Sequence, residues 1–250
     1  MLIQPTLHNM KALRLFGMAC ALESQLEMPD SSELSFEARL GLLVDAELVD
    51  RNNRRTQSRL RFAKLRLSAC IEDLDLKASR GLDRATITAL AECSWIAQHQ
   101  NVLITGATGA GKTYLACALA QKACRNGYSA SYHRAPRLFE ELAIAKADGR
   151  YAKILATLRH RDLLVIDDFG LTAFTDEQRR DLLELVEDRY DRKSTIIASQ
   201  LPVDHWYESI GDATLADAIM DRLVHNAHKL NLKGESMRKP KSNQKEKEPR

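Results

Sequence analysis

The stretch NVLITGATGAGKT, residues 101–113, constrains this chain more than any other. NVLIT is a short apolar run ending in glycine, which predicts a buried strand. Gly106-Ala107-Thr108-Gly109-Ala110-Gly111-Lys112-Thr113 then follows the pattern G-x-x-x-x-G-K-T, and a helix over 112–126 opens directly from it. The glycines allow a tight curl in which successive N–H groups converge on phosphate oxygens. The helix amino end adds a field that favours negative charge. Lys112 is placed to reach β- and γ-phosphates and the Thr113 hydroxyl to bind Mg²⁺. With Tyr114, residues 106–114 form the candidate nucleotide-binding segment.

A second element supports the first. Leu163-Leu164-Val165-Ile166 is apolar and ends in Asp167-Asp168. An acid at the end of a buried parallel strand lies at the carboxyl edge of the sheet, beside a phosphate loop. Asp167 then holds Mg²⁺, and Asp168 orients or deprotonates an attacking water. Alone, the same pair also fits a strand capped by solvated acids. The strand STIIAS, 194–199, ends in Ser199-Gln200, where a polar side chain can sense a γ-phosphate or simply terminate a strand. Arg222, on a helix over 214–227, can reach a neighbouring subunit's nucleotide as an arginine finger, although an arginine on a helix surface is more often solvated or paired.

Further strands are expected at 128–133 and 228–232, and helices at 136–147, 150–159, 176–192 and 203–209. Strands with apolar interiors alternating with helices predict a parallel α/β sheet covered on both faces. The front of the chain differs. Helical spacing runs over 8–28, a turn falls at Pro29-Asp30, and Ser35 caps a second helix through Leu48. Residues 71–82 look like an irregular connector before a short helix at 83–91. The domains expected are a helical N-terminal region over 1–80, an α/β core over 81–235 and a basic, disordered tail over 236–250.

Residues 51–66 carry seven basic side chains and no acid, whereas residues 1–50 are net acidic. On a helix at 100° per residue, Arg51, Arg54, Arg55, Arg59, Arg61 and Arg66 fall within an arc of about 160°, with Lys64 outside it. Arginine's planar fork suits phosphate. The face is either a grip on a polyanion or a solvated surface neutralised by the acidic segment at 23–50. The formal charge of the whole chain is only +3, so the total alone predicts no polyanion partner. Five scattered cysteines without a C-x-x-C pair indicate buried free thiols in a reducing compartment, not a zinc site or disulfide framework. The opening MLIQPTLHNMKALRL lacks a secretion-signal pattern, and no long uncharged apolar stretch predicts a membrane span.

NVLITGATGAGKTYLACALAQKACRNGYSASYHR, DLLVIDDFG, STIIASQLPVDHWYESIGDATLADAIMDRLVHNAHKL and KGESMR together resemble the IstB-like proteins of insertion-sequence transposition, relatives of the helicase loader DnaC among AAA+ ATPases. The resemblance covers nearly the whole chain, including the helical front segment. It implies a P-loop AAA+ core with five parallel strands, ATP and Mg²⁺ as cofactors, and a bacterial cytoplasmic protein. It also implies a homo-oligomer, ring or helical, that assembles on double-stranded DNA with ATP and then recruits and stimulates a partner transposase, without a membrane. It strengthens Lys112, Asp168, Ser199 and Arg222 as catalytic residues, Thr113 and Asp167 as metal ligands, and the six arginines as DNA contacts. Arg238 in GESMR then corresponds to a second nucleotide-sensing arginine. Two departures stand out. Many AAA+ proteins have glutamate where Asp168 stands, and the shorter side chain implies slow hydrolysis suited to a switch. Few residues follow Arg222, leaving little room for a large lid domain.

Two rival readings remain at this level. A replicative helicase loader shares the core but uses its front helices to hold a helicase. A small-molecule P-loop kinase needs an acceptor pocket and leaves the basic helical front unexplained.

Overall fold

The computed structural model describes residues 3–28, 34–75 and 81–234. The expected turn at Pro29-Asp30, the tail and Arg238 lie outside these. The chain divides into two compact units between Arg59 and Leu60.

The first unit is helical: α1 (Ile3–Ala12), α2 (Phe16–Glu27) and most of α3 (Phe36–Ala63). The single helix expected over 8–28 is broken, because Arg14 takes a left-handed φ of 61° and reverses the chain between α1 and α2. Helix α3 begins where Ser35 predicts: the Ala38 N–H donates to Ser35 Oγ at 3.2 Å, satisfying one of the unpaired donors of the first turn. It then absorbs most of the basic stretch without interruption. It stops at Ala63, short of Leu67, where Lys64 adopts φ 51°.

The second unit carries a five-stranded parallel sheet in the order β2-β3-β4-β1-β5, with β1 (Asn101–Gly106), β2 (Ala130–Arg134), β3 (Leu163–Phe169), β4 (Ser194–Ser199) and β5 (Ala227–Leu232). Its helices are α4 (Arg84–Ala91), α5 (Ser94–Ala97), α6 (Lys112–Arg125), α7 (Ala135–Ala147), α8 (Tyr151–His160), α9 (Asp176–Arg189), α10 (Trp206–Ile210) and α11 (Ala213–Val224). The one-turn α5 has no counterpart in the sequence reading; four residues are too few to show a period.

The central strands are apolar along their length because both faces are covered. One face packs Val102, Ile104, Val165 and Ile196 against α6 and α4; the other packs Leu103, Leu164, Ile166 and Ile197 against α7, α9 and α11. Local chemistry sets the helix starts. Asp83 caps α4 by accepting from the Thr86 N–H at 3.0 Å, and Thr175 and Gln178 form a reciprocal capping box on α9. Buried Arg189 donates to the carbonyls of Leu158, Arg161 and Ser194 and to Thr195 Oγ1, pinning the sheet's amino end. The carboxyl end, where the chemistry is expected, is left open.

The five cysteines are free, as expected, but only Cys93, Cys117 and Cys124 are buried; Cys20 is exposed. No helix among the described residues is long and apolar enough to cross a membrane.

Candidate functional site

At the carboxyl edge, β1 runs into the glycine loop and α6 leaves it. Gly106, Gly109 and Gly111 have φ of 142°, 85° and 100°, which side-chain-bearing residues rarely adopt. A Cβ on Gly106 would also lie 2.3 Å from the Leu232 carbonyl oxygen of β5. The turn is tightened by the Ala110 N–H, which donates to the Ala107 carbonyl at 3.2 Å. Lys112 is nearly buried, and its ammonium donates to the carbonyls of Gly106 at 2.7 Å and Ala107 at 2.8 Å.

The strand-end acids lie beside this loop. Thr113 Oγ1 donates to Asp167 Oδ2 at 2.8 Å, joining residues from α6 and β3. Tyr132 of β2 donates its hydroxyl to the same oxygen at 2.6 Å, and the Asp168 N–H donates to Asp167 Oδ1 at 2.9 Å. Burial and the neighbouring Asp167 carboxylate push the Tyr132 phenol well above its ordinary pKa, so it stays a donor. Asp168 sits at φ 58°, where the β3–β4 register shifts between Ile166 and Phe169. This bulge turns its side chain toward Arg134, whose Nε donates to Asp168 Oδ2 at 2.7 Å.

These groups surround a cavity of about 370 Å³, lined by Thr108, Gly109, Gly111, Lys112, Thr113, Tyr114 and Asp168, and by Arg66, Leu67, Arg134, Leu171 and Gln200. That volume falls in the range of small-ligand sites. The donor set fits a phosphorylated nucleotide with a hard divalent cation: cationic Lys112, Arg66 and Arg134, and oxygen donors on Thr113 and Asp167. Among the described residues no group of three or more metal-ligating side chains occurs. Mg²⁺ needs none, since phosphates and water supply most of its ligands.

Other expected site residues fall elsewhere. Ser199 is fully buried and donates to the Phe169 carbonyl at 2.7 Å; Gln200, one residue on, faces the cavity and accepts from Thr108 Oγ1 at 2.6 Å. Arg222 lies away from this cavity, with its Nε 2.6 Å from Glu187 Oε2 and its Nη2 3.0 Å from Glu187 Oε1. Of the six ridge arginines, Arg51, Arg54, Arg55, Arg59 and Arg61 are on α3, whereas Arg66 lies beyond its end and lines the cavity. The ridge therefore has five members. Arg51 donates to Glu47 at 2.7 Å, Arg54 pairs with Asp50 at 2.6 Å, and Arg61 lies over the Phe62 ring at 5.3 Å. Arg55 and Arg59 have no carboxylate partner among the described residues.

Arg134 and Tyr132 were not anticipated. The signal existed: Arg134 ends a strand at the same sheet edge as Asp167, so the reasoning that selects one selects the other.

A parallel sheet with this strand order, a phosphate loop opening α6 and an acid at the end of β3 define a P-loop AAA+ nucleotide-binding core. Solved structures agree with this fold. The DnaC helicase loader superposes with a TM-score of 0.57 at 20% identity, covering 68% of this chain and 100% of that one. The replication initiator DnaA, solved with AMPPCP and single-stranded DNA, gives a TM-score of 0.57 at 16% identity, covering 69% of this chain and 52% of that one. The family model for IstB-like ATP binding proteins matches residues 8–245, and the chain belongs to that family. An insertion sequence ATP-binding protein of Sinorhizobium fredii is 51% identical over 239 residues, 96% of this chain and 98% of its own length. The insertion sequence IS21 ATP-binding protein of Pseudomonas aeruginosa is 33% identical over 226 residues, 90% of this chain and 85% of its own.

Proposed function

We propose that this chain is an ATP-switched transposition helper that assembles as a homo-oligomer on target duplex DNA and recruits and stimulates a partner transposase. The observation that carries the nucleotide half is the convergence of Lys112, Thr113 and Asp168 on one cavity, with buried Asp167 held behind it 2.8 Å from the Thr113 hydroxyl. The insertion-sequence relatives support the transposition half.

In this reading the loop N–H groups from Gly106 to Thr113 bind phosphate oxygens, and Tyr114 lines the entrance. Lys112 exchanges its loop carbonyls for phosphate. Thr113 and Asp167 hold Mg²⁺, which, when bound, draws charge from the phosphate oxygens. Asp168 orients the attacking water and takes its proton, with a shorter reach than glutamate and hence slow turnover. Buried Ser199 holds the β3–β4 edge in place and Gln200 meets the nucleotide. Arg222 acts across a subunit boundary as the finger, exchanging Glu187 for phosphate, and Arg238 contributes a second sensing arginine. Arg51, Arg54, Arg55, Arg59 and Arg61 contact DNA phosphates, which positions the protein without reading sequence.

Sedimentation with ATP and duplex DNA tests this. Lys112→Ala is expected to lose ATP-dependent assembly completely, and a variant that assembles normally refutes the switch. The likeness to a helicase loader keeps one alternative in play. A chain that binds no duplex at any ATP concentration fits that alternative instead.

A further inference from the structure

Spacing along the sequence groups Arg66 with the DNA ridge, but its surroundings are those of the nucleotide cavity. After Ala63 the chain leaves the helix through Lys64 at φ 51°, and Arg66 and Leu67 join Lys112 and Thr113 in lining the cavity. Arg66 Nη1 lies 3.7 Å from Asp168 Oδ2, the oxygen that also accepts from Arg134 Nε at 2.7 Å.

A single carboxylate oxygen therefore sits between two guanidinium groups on the wall of a phosphate site. Counting Lys112, three positive charges line this cavity beside the two carboxylates of Asp167 and Asp168, so the cluster has attraction left over for an anion. The pairs are also weakly held. Arg66, Arg134 and Asp168 retain 41%, 37% and 18% of their side-chain exposure, and ion pairs this open to water contribute little. A terminal phosphate carries more charge than a carboxylate and offers more acceptor oxygens to arginine's fork.

We propose that Arg66 and Arg134 read the terminal phosphate of the bound nucleotide, leaving Asp168 for it, and that Asp168 becomes free to orient water only when that phosphate is present. With a diphosphate the two arginines stay on Asp168. Arg66 and Arg134 are thus positioning residues for Asp168 and discriminate triphosphate from diphosphate. The inference rests on the cavity being the ATP site.

The test is equilibrium binding of a fluorescent non-hydrolysable ATP analogue and of fluorescent ADP, each with Mg²⁺, to the full chain and to Arg66→Ala, Arg66→Lys, Arg134→Ala and Lys112→Ala. Duplex affinity is measured alongside without nucleotide. Arg66→Ala and Arg134→Ala are expected to weaken the ATP analogue about tenfold or more, the scale of a lost charge-assisted contact. ADP stays within about twofold, and nucleotide-free duplex affinity is unchanged. Arg66→Lys, which keeps the charge and removes the fork, shows part of the same selective loss and guards against misfolding of the alanine variant. Equal weakening of both nucleotides overturns the proposal, as does a loss confined to DNA, which returns Arg66 to the ridge. Lys112→Ala separates the two levels: if it binds nucleotide like the wild type, the ATP-site reading itself fails. If it loses both nucleotides while the arginine variants show no selectivity, only the present inference fails.

Discussion

The helical unit ending at Arg59 and the α/β unit beginning at Leu60 handle apolar side chains in opposite ways. In the α/β unit, Leu, Ile and Val fill two continuous layers, one on each face of the sheet, with most members fully buried. In the helical unit, only Leu7, Ala19 and Leu43 are buried apolar residues among those described, while Leu13, Phe36, Leu40, Leu48 and Val49 are exposed. Its helices are held by close approach and polar ties instead. Glu47 accepts from the Met18 N–H at 3.2 Å and from Arg51 at 2.7 Å, and Gln25 Nε2 donates to the Arg39 carbonyl at 3.2 Å. Burial alone would raise the Glu47 pKa, but these hydrogen bonds keep it below its ordinary value. Apolar spacing that predicts a helix therefore does not predict that the apolar face is covered.

The largest effect expected is in the core of the second unit. Leu142 of α7 is fully buried, so Leu142→Ala should cost about 2–5 kcal/mol through lost transfer energy and a cavity. Phe36 is 74% exposed, so Phe36→Ala should stay within about 0.5 kcal/mol. Denaturant melts of the two variants measure the difference, and a Phe36 cost approaching that of Leu142 would mean the exposed face is covered in solution.

A smaller effect separates the units in the other direction. A Cβ on Gly17 would lie 2.5 Å from the Ala46 carbonyl oxygen and 2.7 Å from the Glu47 Cα, so α2 approaches α3 too closely for any side chain. Gly17→Ala is expected to destabilise the helical unit by about 1–3 kcal/mol, the usual cost of overpacking. Hydrogen exchange should show the loss in α2 and α3 and leave the sheet amides protected. Loss of protection in β1 and β4 as well would show that the two units unfold together.

The sequence made the sheet legible because parallel strands buried on both faces must be continuous apolar runs, and each such run ends in a recognisable break. The contact of Thr113 with Asp167 was legible for the same reason: the motif fixes one partner and the strand end fixes the other. What stayed hidden depends on single backbone angles. Arg14 at φ 61° splits a helix whose apolar spacing continues across the break, and Lys64 at φ 51° takes Arg66 off a ridge that helical geometry would otherwise extend. The bulge at Asp168 likewise determines which polar side chain meets Arg134, and no residue-type pattern encodes it. Ser199 ends β4 and Gln200 is the next residue, and that one position is enough to exchange a buried hydroxyl for a cavity-facing amide.

The smallest expected effect concerns the ridge, where the acidic and basic halves of α3 meet. Releasing a counterion per phosphate contact gives a salt slope of about −0.9 for each contact made. Arg55 and Arg59 have no carboxylate partner among the described residues, so each is free to make one, and replacing both by alanine should flatten the slope by about 1.8 on unrelated duplexes. Arg51 and Arg54 already face Glu47 and Asp50, so a phosphate must displace a carboxylate, and their removal should flatten the slope by less. The same competition predicts a gain of function. Asp50→Asn releases Arg54 and removes a charge that repels DNA, so duplex affinity should rise a few-fold at low salt, converging on the wild type as salt screens the difference. If Asp50→Asn leaves affinity unchanged while Arg55→Ala with Arg59→Ala still lowers it, Arg54 contacts no DNA and the ridge narrows to its unpaired arginines. If neither changes, α3 does not bind DNA, and its arginines serve the solvated, internally neutralised face that the sequence alone allowed.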